Sequence, residues 1–265
     1  MYGFSFDRAS SVQDAAAKAA NGGQLLAGGQ TLLASMKQRL ASPETLVDLS
    51  GIADLKGICK DGNAMVVGAM TRHQEVATNK ELIATIAGLA RLAGGIGDRQ
   101  VRAMGTIGGS VANNDPAACY PSAVLGLGAT IKTNKREIAA DKFFQGLFTT
   151  ALEPGEMILS IRFPIPKASA YAKFKQPASR YALLGVFVAQ TDSGVRVAVT
   201  GGGNGVVRHA GLEAALSKSF SPSAVDGVAV SASEFTSDLH ASAEYRAQLL
   251  KVQTKRAVHQ ALGNA

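Results

Sequence analysis

Tryptophan is absent from these 265 residues, and aromatic residues together make up only 6%. A surface that stacks unpaired bases needs several exposed rings, so a single-stranded nucleic-acid platform is disfavoured. Cysteine is nearly as scarce. Cys59 and Cys119 stand far apart, with no Cys-x-x-Cys pair and no Cys/His cluster. The chain therefore lacks the ligand spacing for a zinc site or iron–sulfur cluster of its own, and reduced thiols fit a cytoplasmic protein. No apolar run approaches the ~20 residues of a membrane span. The segment Met1-Tyr2-Gly3-Phe4-Ser5-Phe6-Asp7-Arg8 has no basic stretch followed by an apolar one, so no secretory signal is read there. His73, His209, His240 and His259 are dispersed, none at metal-ligand spacing with Cys, Asp or Glu, and they read as surface or packing residues.

What is present is a core. Hydrophobic residues make up 46% and charged residues 18%, and the length allows two compact domains or one large one. The net charge of +7 invites a nucleic-acid reading. The basic residues are scattered, however, and the densest group, Lys132 to Arg136, reads as a solvated turn. A basic surface equally suits an anionic cofactor or an acidic partner subunit.

Two glycine-paired loops stand out. Ala27-Gly28-Gly29-Gln30-Thr31 follows the apolar Leu25-Leu26, and Thr106-Ile107-Gly108-Gly109-Ser110 lies well downstream; each ends in a hydroxyl residue. Without a Cβ, the backbone turns sharply and lets a ligand come close. N–H groups exposed in such a turn form a concavity for phosphate oxygens. Two such loops fit a diphosphate gripped from both sides; taken singly, each reads more readily as a hairpin turn than as a ligand loop. Neither matches G-x-G-x-x-G or the P-loop, which sets aside ordinary Rossmann and NTPase assignments. Gly201-Gly202-Gly203-Asn204 reads as a hairpin tip rather than a third phosphate site.

Hydrophobic periodicity supplies the framework. Ser11 to Asn21 carries Val12, Ala15, Ala16 and Ala19 at helical spacing, capped by Ser10 or Ser11 and stopped by Gly22-Gly23. Leu25-Leu26-Ala27 reads as a strand, Leu32 to Leu40 as a short helix, and Thr45 to Leu49 and Ala64 to Ala69 as strands. This opening predicts a small β-α-β-α-β layer. Thr71 to Ala77 and Lys80 to Leu92 are predicted helices. Gly94-Gly95-Ile96-Gly97-Asp98 breaks the pattern, and Gly105 to Ala112 reads as a β-like run interrupted by glycines. Pro116 to Leu125 is a predicted helix, followed by strands at Ala129 to Thr133 and Met157 to Phe163, and Pro164-Ile165-Pro166 marks a boundary. Beyond it, Ala172 to Lys175, Leu184 to Ala189 and Gly194 to Thr200 read as strands, and Ser223 to Val230 and Ala243 to Leu262 as helices. That tail predicts an α+β layer of antiparallel strands with helices on one face.

The text around the glycines is more specific than the glycines themselves. Leu26-Ala27-Gly28-Gly29-Gln30-Thr31-Leu32-Leu33 is followed by Met36-Lys37. The second stretch is Val101-Arg102-Ala103-Met104-Gly105-Thr106-Ile107-Gly108-Gly109-Ser110-Val111-Ala112-Asn113-Asn114-Asp115-Pro116-Ala117-Ala118. Together with Gly68-Ala69-Met70-Thr71-Arg72-His73, Phe174-Lys175-Gln176 near Arg180-Tyr181, and Ala243-Glu244-Tyr245-Arg246 with Lys255-Arg256-Ala257, they resemble the FAD-binding subunit of the molybdenum hydroxylases. That family includes xanthine dehydrogenase and carbon monoxide dehydrogenase. The resemblance spans the whole chain and implies an α+β fold. A PCMH-type FAD-binding domain would occupy residues 1–166, as two α/β subdomains (about 1–56 and 57–166). A C-terminal α+β domain with an antiparallel sheet and helices would occupy 167–265.

The resemblance further implies non-covalent FAD between the N-terminal and middle subdomains. Ala27, Gly28, Gly29, Gln30, Thr31 and Leu32 would face its pyrophosphate, and Thr106, Ile107, Gly108, Gly109 and Ser110 would close from the other side through backbone N–H groups. Asn113 and Asp115 either meet ribityl or ribose hydroxyls or form an Asx turn ahead of Pro116. Ile158 contacts the flavin ring or packs the core. Lys175 either stabilises the anionic reduced flavin by charge attraction or is a surface ammonium. Tyr181 covers a flavin face or packs on its strand. No residue is read as a general base.

The implied function is that of an oxidoreductase subunit, the medium chain of a heteromer. Its FAD would accept electrons from [2Fe–2S] clusters in a small partner chain and pass them to NAD, a quinone, oxygen or a carrier. A large molybdopterin-binding chain would oxidise the substrate, the whole forming a dimer of heterotrimers. The sequence departs from the family in two places. Cys119 stands where an acid is frequent, and a thiol is a poor acceptor; Gln30 stands where carbon monoxide dehydrogenase relatives can carry histidine. Two rival readings remain at this level: a PCMH-type flavin binder acting alone as a two-substrate oxidase or reductase, and a basic binding module whose glycine pairs are plain turns.

Overall fold

A computed structural model describes residues 1–263. The chain opens with strand β1 (Ser5–Arg8), helix α1 (Val12–Ala20), strand β2 (Gln24–Leu26), helix α2 (Leu32–Lys37) and strand β3 (Thr45–Asp48). The strands form a parallel sheet in the order β1-β3-β2, and each crossover carries a helix, as parallel pairing requires. Ser11 caps α1 by accepting from Asp14 N–H at 3.1 Å. Strand β1 lies in a segment with no strand signal. Its side chains are exposed throughout, and pairing with β3 alone makes it a strand.

Strands β4 (Ile58–Asp61) and β5 (Ala64–Gly68) form a hairpin. Helices α3 (His73–Thr78), α4 (Lys80–Thr85), α5 (Ala87–Gly94), α6 (Arg99–Met104), α7 (Ile107–Asn113) and α8 (Tyr120–Gly126) follow. Then come β6 (Thr130–Thr133), β7 (Glu137–Ala139), a short α9 (Ala140–Phe143), the small hairpin β8 (Phe144–Gly146) and β9 (Thr149–Thr150), and β10 (Ile158–Pro164). Five of these strands make one sheet, β4-β5-β10-β6-β7, antiparallel at every pairing. A small cluster including Ala15, Val47, Ile52, Met70 and Met157 joins the N-terminal sheet to this middle unit.

The C-terminal sheet is β11 (Ala168–Lys175), β12 (Ala182–Thr191), β13 (Gly194–Thr200) and β14 (Val207–Arg208), antiparallel in sequence order. Helices α10 (Ala210–Lys218) and α11 (Ala243–Ala261) complete the fold. Leu184, Val186 and Val188 of β12 pack with α10 and α11, while Phe187 and Ala189 join Tyr171 and Ala198 in the core of the middle unit. The sheet is thus covered on both faces.

Four local expectations change. The helix expected from Lys80 to Leu92 is two helices, because Ile86 leaves helical backbone (φ −135°, ψ 62°) to bury its side chain. The break lets Gly88 of α5 lie against β11, where a Cβ would sit 2.9 Å from Ala170 N. The β-like run at Gly105 to Ala112 is helix α7, started by Thr106, whose Oγ1 accepts from Gly109 N–H at 3.2 Å. Helix α8 starts at Tyr120 because Asp115 draws the N–H groups of Ala117 and Ala118 into a turn. The helix expected from Ser223 to Val230 is a single 3-10 turn, Pro222–Val225, ahead of Gly227. Among the described residues no helix is long and apolar enough to cross a membrane.

Candidate functional site

The first glycine loop leads from β2 into α2. Gly29 has φ +69°, a conformation that glycine adopts without a Cβ penalty. The helix behind it has no side-chain cap from Thr31. Among the described residues, the N–H groups of Gly28, Gly29, Gln30, Thr31 and Leu32 have no backbone acceptor. Gln30 Nε2 folds back to donate to Gly28 O at 3.1 Å. A run of unspent donors at a helix start is therefore open to an acceptor from outside the fold.

The second loop is different. Gly105 O accepts from His73 N–H at 2.9 Å, Ile107 N–H donates to Thr71 O at 3.1 Å and Gly108 N–H to Ala69 O at 2.8 Å. Gly109 N–H is held by Thr106 Oγ1, and Ser110 N–H donates to Thr106 O at 3.1 Å. The amides of Ile107 and Gly108 lay this segment beside residues 69–73, and those of Gly109 and Ser110 are engaged by Thr106 at the start of α7. The donors left on this side are side chains: Ser110 Oγ and, one turn on, Asn113, both only partly buried.

The loops nevertheless meet. A Cβ on Gly28 would press into the Met104 carbonyl oxygen and lie 2.7 Å from Gly105 Cα. One on Gly109 would lie 3.3 Å from Ala27 Cβ, and one on Gly108 2.5 Å from Ala69 Cβ. Glycine here permits backbone to rest on backbone. Beneath the junction the His73 imidazole is buried, 5.2 Å from the Tyr120 ring, and its Nδ1 has no partner. Burial, then the Arg102 charge, push its pKa down to about 4, so it supports the junction as a neutral ring.

Asp115 Oδ1 accepts from Ala117 N–H at 2.8 Å, the Asx turn, and burial raises its pKa against that bond. The Tyr181 phenol is raised by burial and then by the charges of Asp115 and Cys119, which brings these three residues into one neighbourhood. Lys175, exposed at the end of β11, lines a cleft of about 370 Å³ with Gly95, Gly97, Arg102, Gln176 and Arg180. Arg102 Nη1 donates to Ile96 O at 3.0 Å and Arg180 Nη1 to Gly97 O at 3.2 Å, bracing that wall. Ile158 is closed into the middle core with Ile107 and Ile161, the packing alternative.

Two residues escaped sequence reasoning. Asn114, fully buried with φ +45°, donates from Nδ2 to Gly146 O and Thr149 O, both at 2.8 Å, and so ties the end of α7 to the β8–β9 hairpin. The signal was Asn-Asn-Asp-Pro, since asparagine tolerates the left-handed region. Lys173 Nζ donates to Cys119 Sγ at 3.2 Å and to Arg180 O at 3.0 Å. The signal was strand alternation, which sets Tyr171 and Lys173 on one face of β11.

The donor set fits FAD: free amides for a pyrophosphate, hydroxyl and amide side chains for sugar hydroxyls, and a cationic cleft beside a tyrosine. Comparison with known proteins agrees. Residues 2–166 match the FAD binding domain in molybdopterin dehydrogenase. The chain is 35% identical to the carbon monoxide dehydrogenase medium chain of Afipia carboxidovorans, over 99% of its length and 98% of that protein. It is 31% identical to subunit alpha of the 6-hydroxypseudooxynicotine dehydrogenase complex of Paenarthrobacter nicotinovorans, over 99% and 95%. The solved structure of reconstituted CO dehydrogenase from Oligotropha carboxidovorans superposes with a TM-score of 0.90 at 32% identity, over 100% of this chain and 99% of that one. With both glycine loops inside the matched region and the fold shared end to end, the chain belongs to the FAD-binding family of the molybdopterin dehydrogenases and is an oxidoreductase flavoprotein subunit.

Proposed function

We propose that this chain is the flavin-carrying electron relay of a heteromeric molybdenum hydroxylase. The observation that carries the reading is the unspent run of N–H groups from Gly28 to Leu32, held against the second loop at Met104 and Gly105. The backbone of Ala27 to Leu32 binds the FAD pyrophosphate, and Ser110, Asn113 and the free oxygen of Asp115 bond ribityl or ribose hydroxyls. Thr106, Ile107, Gly108 and Gly109 act as the support that keeps the first loop in shape. Bound FAD supplies the redox chemistry. Arg102, Lys175 and Arg180 place positive charge around the adjoining cleft, which favours negative charge on a ligand there. Tyr181, its pKa raised, stays protonated at neutral pH and presents an uncharged ring. Ile158 packs beneath. The division into 1–56, 57–166 and 167–265 accompanies this reading, with the flavin between the first two and the third adding Lys175 and Tyr181.

Electrons arrive from [2Fe–2S] clusters on a small partner chain, supplied in turn by a large molybdopterin-binding chain, in a cytoplasmic dimer of heterotrimers. They leave to an external acceptor such as NAD, a quinone, oxygen or a carrier. The names of the relatives, a medium chain and a complex subunit, support assembly with other chains, and the net charge of +7 suits an acidic partner. The test is direct. Purified full-length chain titrated with FAD should quench flavin fluorescence and acquire a flavin spectrum, and co-purified chains should carry iron and molybdenum. Folded material that takes up no FAD overturns the flavin reading. A tagged chain that carries FAD yet always purifies alone from its native host overturns the heteromer.

A further inference from the structure

Just ahead of α8, the Cys119 thiol is 5% exposed, within reach of small molecules only. Lys173 meets it from β11, its ammonium held between the Cys119 sulfur and the Arg180 carbonyl oxygen, at 3.2 and 3.0 Å. No carboxylate pairs with Lys173 among the described residues. Tyr171 OH and Thr200 Oγ1 complete the cluster, both buried and both without a hydrogen-bond partner, the Tyr171 hydroxyl standing against Cys119 and Thr200. Cys59, the other thiol, is exposed on β4 in a different sheet, and both thiols are free.

We propose that Cys119 and Lys173 form an oxidation-dependent N–O–S cross-link, tying α8 to β11 and placing an oxygen atom beside the two unpaired hydroxyls. The oxidant is dioxygen. The S–H bond and two N–H bonds of the ammonium break. One oxygen atom bonds to both Sγ and Nζ; the other leaves as water, and one proton is released. Sulfur and nitrogen each give up two electrons, which together reduce the dioxygen. Two equivalents of a dithiol reverse the change, regenerating thiol and amine and releasing the bridging oxygen as water. The link replaces a charged hydrogen bond by a covalent tie across the seam between the middle unit and the C-terminal sheet, next to Tyr181. It does not depend on the flavin reading, because the reacting atoms are all on this chain or in dioxygen.

Purified full-length chain, with or without FAD, is held in dioxygen-saturated or anaerobic buffer, digested and mapped by mass spectrometry. The expected result is a joined peptide pair carrying Cys119 and Lys173, with one oxygen gained and two hydrogens lost. It should be present only after dioxygen and absent after dithiothreitol. Cys119→Ser and Lys173→Arg should each abolish it. Complete alkylation of Cys119 by iodoacetamide after dioxygen exposure overturns the proposal, as does Cys119 recovered as sulfinic or sulfonic acid with Lys173 unmodified. Should the variants fold poorly, wild-type protein under isotopically labelled dioxygen decides alone: label in the joined pair supports the link, and a joined pair without label sinks it.

Discussion

Gly28 has no room for a methyl group, and what blocks it is backbone. Met104 O and Gly105 Cα cannot rotate aside as a side-chain tip does. Gly28→Ala is therefore expected to cost about 1–3 kcal/mol of stability through overpacking. It should also weaken FAD binding by about tenfold or more, near 1.4 kcal/mol, as read by fluorescence titration; an unchanged affinity would remove Gly28 from the site. His73 makes a second prediction. Its folded pKa of about 4 lies below the ordinary 6.5, so the unfolded chain takes the proton more readily. Its contribution is complete above pH 6.5 and is lost as pH falls from there toward 4. The full difference is on the order of 3 kcal/mol. Urea unfolding at pH 7 and pH 4.5 measures it, and His73→Gln should flatten that part of the pH slope. The glycine of position 28 was legible in the sequence; its neighbour Met104 was not, because a contact between distant segments leaves no mark on either one alone.

Among the elements, α7 shows what local pattern leaves undecided. Its glycines and alternating apolar residues read as a β-like run, yet Thr106 caps a helix whose Gly108 seats on Ala69. Propensity is a weak prior where tertiary contact is this close. The far end of α7 carries Asn114, whose left-handed backbone and two carbonyl bonds hold the β8–β9 hairpin. Asn114→Ala should cost about 3 kcal/mol, from two unpaired carbonyls and a strained residue. Asn114→Gly should recover about 1 kcal/mol of that by relieving the strain alone. Thermal unfolding of the two variants separates the contributions, and equal melting temperatures would show that the clamp accounts for all of it.

For the whole molecule, the C-terminal sheet decides cohesion. Phe187, Ala189 and Ala198 lie in the same core as Val124, Phe143 and Phe163 of the middle unit. Arg196 reinforces that seam by donating to Leu125 O and pairing with Asp141 at 2.8 Å. A fragment of residues 1–166 should therefore expose this apolar face and aggregate or melt broadly, while the full chain unfolds in one cooperative transition by calorimetry. A well-folded, soluble fragment with a sharp transition would contradict the shared core. Strand β10 ends at Pro164, and apolar packing continues across Pro164-Ile165-Pro166.

From the amino-acid order alone came the α1 and α11 helices, the β12 and β13 strands, the paired glycine loops and the family, because each depends on periodicity or on contiguous text. Cap, stop and alternation are local, so they survive without neighbours. The structure alone decided that the loops converge, that Ile107 and Gly108 donate to Thr71 and Ala69, and that Lys173 finds Cys119. Each of these is a contact between segments distant in sequence. Close packing and hydrogen-bond satisfaction select among the conformations that local pattern permits.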